Sequence, residues 1–228
     1  MNAPSYAIAI SLVVLTAMLG VLCFRGLRRY LQTRMRVQLM WGTGLAFASA
    51  AMGVEAAVYL GFLSVPLLQA YVFLSAAIVG VLSLGATRVL RSPRIERVYT
   101  WYTAATCAVV AIFSFATPLS TGMVTNGIIS GDPPLLLIVL STLVTAPATV
   151  VLIGASVVSL RRDRRWQTLL MIAGAVILGA GGTLYIASFP VALYYAEFLG
   201  IVLLFLGLIS IPQSAPAPAA TASRVSSS

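Results

Sequence analysis

Two carboxylates stand inside otherwise apolar stretches of this 228-residue chain, Glu55 and Glu197. A charged group in hydrocarbon costs a few kcal/mol or more, so such residues face a bundle interior or a wet cavity and mark candidate functional sites. A carboxylate held there can pass a proton or hold a cation. Tyr59, one helical turn beyond Glu55, and Tyr194 and Tyr195, just before Glu197, bring hydroxyls within hydrogen-bonding reach of them. The same residues also suit a plainer role, as protonated or hydrogen-bonded glue between helices. Residue types alone leave both readings open.

Other chemistries are excluded more firmly. All fourteen basic residues are arginine, and the chain has no lysine and no histidine. Without lysine there is no Schiff base; without histidine there is no Ser-His or Cys-His catalysis, no His-ligated haem and no His-containing zinc site. Cys23 and Cys107 lie far apart with no C-x-x-C spacing and read as packing residues rather than a redox pair. No cofactor or metal is expected, and no enzymatic activity, since the usual nucleophile and base sets are missing. A lipid-modifying activity built from Glu and Tyr has no further support in the sequence.

The elements that must position the two carboxylates follow from composition. Hydrophobic residues make up 60% of the chain and charged ones 8%, with a mean hydropathy of +1.02. Soluble domains carry about 45–50% apolar and about 25% charged residues, so lipid is the expected solvent. A spanning helix needs about 20 apolar residues. Seven such segments can be placed, at 6–24, 39–62, 66–90, 100–118, 135–160, 166–188 and 190–211. The arginines divide the chain in the same way. Arg25, Arg28, Arg29, Arg34 and Arg36 fall between the first two segments. Arg88, Arg91, Arg94 and Arg97 fall between the third and fourth, and Arg161, Arg162, Arg164 and Arg165 between the fifth and sixth. Arg224 is in the tail, and the alternate connections have none. Positive residues stay cytoplasmic, so the expectation is an all-α, polytopic seven-transmembrane-helix bundle in the cytoplasmic membrane, N-terminus out and C-terminus in. Residues 1–211 form the transmembrane domain. Residues 212–228, rich in Pro, Ala and Ser, are expected to be a disordered cytoplasmic tail.

On this plan Glu55 and Glu197 lie at matched depth, each seven residues from the outer end of its helix, or about 10 Å. Two outer connections are very short. The third, 119–134, is long enough to be a lid or binding loop, although a flexible connector is the plainer expectation. A faint repeat relates Tyr59, Pro66 and Tyr71, preceded by Gln38, to Tyr185, Pro190 and Tyr195, preceded by Gln167. It fits a 3-1-3 arrangement of spans one to three and five to seven. Small residues recur every fourth position at Gly42, Ala46 and Ala50, at Gly53, Ala57 and Gly61, and at Ala175, Gly179 and Thr183, as close helix packing requires. Pro147 should kink the fifth span or free a carbonyl. Trp41, Trp101 and Trp166 near the cytoplasmic ends suit an interfacial belt.

The seven-span plan with its N-terminus outside resembles that of microbial rhodopsins, but the missing lysine rules out their way of holding retinal. The 3-1-3 plan resembles the sugar transporters of the sweet family, whose Pro-Gln pair within a helix is missing here; Pro212 and Gln213 occur only at the start of the tail. No site residue is carried over from either.

The net charge of +9 and pI near 10.3 would suit nucleic acid, but every basic cluster adjoins an apolar span, where anionic lipid headgroups would meet it. No nucleic-acid partner is expected. The functional expectation is a small transporter or a ligand- or ion-binding membrane protein whose outward-facing cavity contains Glu55 and Glu197. The other reading is a non-enzymatic structural or sensory subunit acting through a partner membrane protein or a second copy of itself.

Overall fold

Runs of Leu, Val, Ala and Ile bounded by Pro, Gly and Arg give helices with apolar surfaces on nearly every side, as burial in lipid or in a bundle requires. The computed structural model describes residues 3–34, 36–87, 92–125, 128–129 and 133–163, and isolated positions between 169 and 206. Within these residues lie five long α-helices: α1 (Ala3–Thr33), α2 (Arg36–Tyr59), α3 (Val65–Thr87), α4 (Pro93–Ala116) and α5 (Leu135–Asp163). Four of them, α1, α3, α4 and α5, are long and apolar enough to cross a membrane, which is the character of a membrane protein. The α2 helix is of similar length but carries Glu55 and many small residues. The proposed 3-1-3 repeat rests on a second half, with Gln167, Tyr185, Pro190 and Tyr195, that lies outside the described residues.

The helices pack around α3, which touches α2 on one side and α4 and α5 on the other, while α1 packs on α2. Small residues set these approaches. A Cβ on Gly26 of α1 would lie 3.3 Å from the Gly42 Cα of α2. At Gly80 of α3 it would meet Val144 of α5 at 2.9 Å and Thr103 of α4 at 3.2 Å, so three helices converge on that position. The Trp41 indole of α2 lies against Gly85 of α3, where a Cβ would collide with the ring. Trp41 is therefore half-buried between helices rather than part of an interfacial belt, whereas Trp101 is exposed. Trp166 lies outside the described residues. Among the described residues, Gly42 of this small-residue pattern packs against α1; Ala175, Gly179 and Thr183 lie outside them.

The connections differ from the sequence expectation in three ways. First, α1 runs to Thr33, so Arg25, Arg28 and Arg29 ride on helix beyond the apolar stretch instead of forming a loop. Long arginine stems can lie along apolar surface while the guanidinium reaches water, which lets the helix continue. The turn into α2 begins at Arg34, at φ 55°, with its N–H bonded to the Tyr30 carbonyl at 2.7 Å. Second, α2 stops at Tyr59. The Gly61 N–H bonds to the Val58 carbonyl at 3.0 Å and the Phe62 N–H to the Ala57 carbonyl at 2.9 Å, a Schellman ending with Gly61 in the left-handed region at φ 97°. Gly61 thus ends the helix instead of extending its small-residue face. Third, the connection between α4 and α5 is folded. It forms a 3-10 turn at Thr121–Met123 and a two-stranded hairpin, β1 (Val124–Thr125) and β2 (Ile128–Ile129), with Val124 opposite Ile129. Leu119, Met123 and Ile129 are buried against residues of α2 and α3, and β2 lies against α2.

Every arginine of the described residues falls at one end of this bundle, at the close of α1 and α5 and the start of α2 and α4. The α2–α3 turn and the β-hairpin occupy the other end.

The two left-handed positions give opposite expectations. Gly61→Ala should lower stability by about 1 kcal/mol, because a Cβ is disfavoured at positive φ. Arg34→Gly should raise it by up to about 1 kcal/mol for the same reason. Thermal unfolding of both variants in mild detergent checks the pair, and equal shifts of the same sign would contradict it.

A buried carboxylate between α2 and α3

Glu55 lies in the last turns of α2, and its side chain is 2% exposed. Its neighbour across the helix interface is Tyr71 of α3, 7% exposed, whose hydroxyl donates to Glu55 Oε1 at 2.8 Å. The α2–α3 turn makes this pairing: two antiparallel helices joined at 60–64 bring positions 16 residues apart to one depth. Around the pair lie Val58 and Leu68, and the folded connection adds Leu119, Met123 and Ile129, with Leu137 from the start of α5. The folded connection thus covers the Tyr71 side of the pair with apolar residues. A carboxyl group paired with a phenol in such a setting can accept or release a proton through the tyrosine, or bind a cation if the cap opens.

Sequence reasoning singled out Glu55 with Tyr59, whereas the hydroxyl bonded to Glu55 in the structure belongs to Tyr71. Tyr59 packs against the cluster between α1 and α2. Tyr71 itself was visible only as part of the repeat. Its signal was register: it follows the α2–α3 turn by about as many residues as Glu55 precedes it. Glu197, Tyr194 and Tyr195 lie outside the described residues. Ile201, one turn beyond Glu197, is buried in the cluster of Leu12, Leu15, Leu19, Leu45, Ala48, Met52 and Ala56 from α1 and α2.

Further polar side chains tie the helices through backbone carbonyls. Gln69 of α3 donates from Nε2 to the Phe115 carbonyl at 3.2 Å and the Thr117 carbonyl at 3.0 Å, holding the end of α4 and the root of the cap. Tyr102 of α4 donates to the Leu143 carbonyl of α5 at 2.6 Å. Leu143 is four residues before Pro147, so its carbonyl is the one that the missing proline N–H leaves free. The carbonyl that Pro147 was expected to release is therefore captured by a tyrosine of the next helix. Ser83 of α3 and Tyr99 of α4 share a hydrogen bond at 2.8 Å. Ser114 is wholly buried, and its hydroxyl has no partner among the described residues. Cys23 and Cys107 are free thiols on α1 and α4, each packed against a different core cluster. No three His, Cys, Asp or Glu side chains come together among the described residues.

No protein-family model, no curated protein and no solved structure matches the chain. The function has to be argued from this site alone.

Removing the hydroxyls should separate these contacts by size. Tyr71→Phe strips a buried carboxyl of its donor and should cost about 1–3 kcal/mol. Tyr102→Phe acts at a partly exposed position and should cost about 0.5–1.5 kcal/mol. Ser114→Ala removes an unsatisfied buried hydroxyl and should be neutral or stabilising by up to about 1 kcal/mol. Denaturant titration in detergent reads all three, and a Tyr71→Phe loss smaller than that of Tyr102→Phe would contradict the ranking.

Proposed function

We propose that the protein is a multi-pass transporter, or an ion- or ligand-binding membrane protein, that uses Glu55 as its proton- or cation-handling group. The observation that carries this reading is the enclosure of Glu55, 2% exposed and hydrogen-bonded to Tyr71 at 2.8 Å, in an apolar core. Apolar side chains would pack that position at lower cost, since a buried ionisable group forfeits its hydration. A carboxyl retained there has a use that hydrocarbon cannot serve.

In this reading the carboxyl alternates between a protonated or cation-bound state under the cap and a state opened toward the arginine-free end. The folded connection between α4 and α5 is the part that must move, because Leu119, Met123 and Ile129 stand over Tyr71. Gln69, bonded at the root of that connection, limits how far it swings. Glu197, with Tyr194 and Tyr195, is proposed as the second carboxylate group of the same site. That pairing rests on their matched depth in the seven-span plan, each carboxylate seven residues from the outer end of its segment.

The wider architecture belongs to the same proposal. Seven spans with the N-terminus outside, in a cytoplasmic membrane, follow from the alternation of arginine-bearing and arginine-free connections. The gathering of the described arginines at one end of the bundle supports it.

Two experiments test these statements. In liposomes loaded with a pH-sensitive dye and given a pH gradient, the reconstituted protein should speed proton entry. Glu55→Gln should abolish that flux, and Tyr71→Phe should slow it. Identical rates for the wild-type protein and Glu55→Gln would remove the carboxyl from the mechanism. Reporter tags on the two chain ends should be accessible from opposite sides of the membrane, and finding both on one side would refute an odd number of spans.

A further inference from the structure

The arginine-bearing end of the bundle holds a cavity of about 430 Å³ between the starts of α2 and α4. It is lined by Arg36, Pro93, Glu96, Arg97, Thr100 and Trp101. Its chemistry is graded. Arg36 and Arg97 are exposed, Glu96 and Thr100 are half-buried, and Trp101 lies one turn beyond Arg97 on α4. Beside the cavity the surface turns apolar: Ile95, Val98 and Trp101 are 50%, 70% and 73% exposed.

We propose that this cavity is a binding site for the phosphodiester headgroup of a membrane phospholipid. Arg36 and Arg97 hold the phosphate, and the lipid's glycerol and acyl chains run along Trp101. Three observations choose this ligand. Guanidinium groups pair with phosphate oxygens through several charge-assisted hydrogen bonds. Among the described lining residues the arginines outnumber the one carboxylate, Arg36 and Arg97 against Glu96, so the site favours an anion. The exposed tryptophan and aliphatic residues continue from the charged mouth, as an amphipathic ligand requires and a free anion does not; tryptophan favours that headgroup level.

The site lies at the opposite end of the bundle from Glu55, so it stands or falls independently of the transport reading. Native mass spectrometry of the full chain in detergent, titrated with phosphatidylglycerol, measures it directly. One tightly retained lipid per chain is expected. Arg36→Gln and Arg97→Gln should each weaken binding about five-fold and together about 25-fold, the effect of losing one basic contact at a membrane surface and then two. An Arg25→Gln, Arg28→Gln pair on α1, away from the cavity, should change it less than two-fold. Diacylglycerol, which lacks the phosphate, should not be retained. Soluble glycerol phosphate should fail to displace the lipid at equal concentration. Equal losses from the α1 pair would show general attraction of charge to the lipid and overturn the site. Full displacement by glycerol phosphate would make it a site for a soluble anion instead. If the glutamine double variant does not fold, Trp101→Ala serves in its place: it should weaken lipid binding several-fold, and unchanged binding would equally refute the proposal.

Discussion

Backbone carbonyls and N–H groups have to be satisfied inside the molecule wherever water is excluded, and the rest of this structure depends on how that is done. Helix formation satisfies most of them. Some of the exceptions fall where helices end or break, and several carbonyls there receive a side chain from a neighbouring helix. Tyr102 meets the carbonyl freed by Pro147, and Gln69 meets two carbonyls at the close of α4. Ser49 of α2 donates to the Thr16 carbonyl of α1 at 3.1 Å. Each bond joins two helices, so satisfying the backbone also fixes which helices are neighbours. In a lipid solvent apolar surfaces gain little by meeting each other, and such contacts, with close packing at small residues, have to supply the association.

Packing and polarity divide the work along α2. Its small residues let α1 and α3 approach: Gly26 meets Gly42 on one side, and Leu82 fills the space at Gly44 on the other. Aromatic contacts then carry α3 across to α4, through Phe47, Phe73 and Phe115, with ring centres 6.2 and 6.5 Å apart. The α2 helix carries many small residues, and both α1 and α3 pack against it. That is where a carboxyl group can be carried at least cost, since α3 can offer it a phenol and the apolar cap can shield it. The two ends of the bundle are correspondingly unlike. Among the described residues one end has no arginine and carries the folded hairpin packed near Tyr71. The other end gathers the described arginines.

Much of this was legible in the residues. The first five apolar segments correspond to α1–α5, because unbroken stretches of Leu, Val and Ala have few alternatives to helix in lipid. Glu55 was legible as a buried group because one carboxylate in an apolar run has no inexpensive exposed position. Its partner was less so. Tyr59 is nearer in sequence, but α2 turns it toward α1, and the hydroxyl that reaches the carboxylate comes from across the turn. The folded connection was missed as well. Its signal was present in Asn126-Gly127 flanked by Val124, Thr125, Ile128 and Ile129, the residue pair that tight hairpins favour between β-branched neighbours. The exposed length of the connection masked that signal.

The sequence by itself determined what is periodic or compositional: helices long enough to span a membrane, arginines clustered between apolar runs, and a carboxylate inside one of those runs. These depend on the free energy of placing single groups in hydrocarbon, which each residue carries wherever it stands. Only the tertiary structure decided that Tyr71 holds Glu55, that Tyr102 answers Pro147, and that Arg36 and Arg97 share a cavity. Those outcomes depend on distances between helices, which are set by packing between surfaces far apart in the chain and which no local stretch of residues encodes.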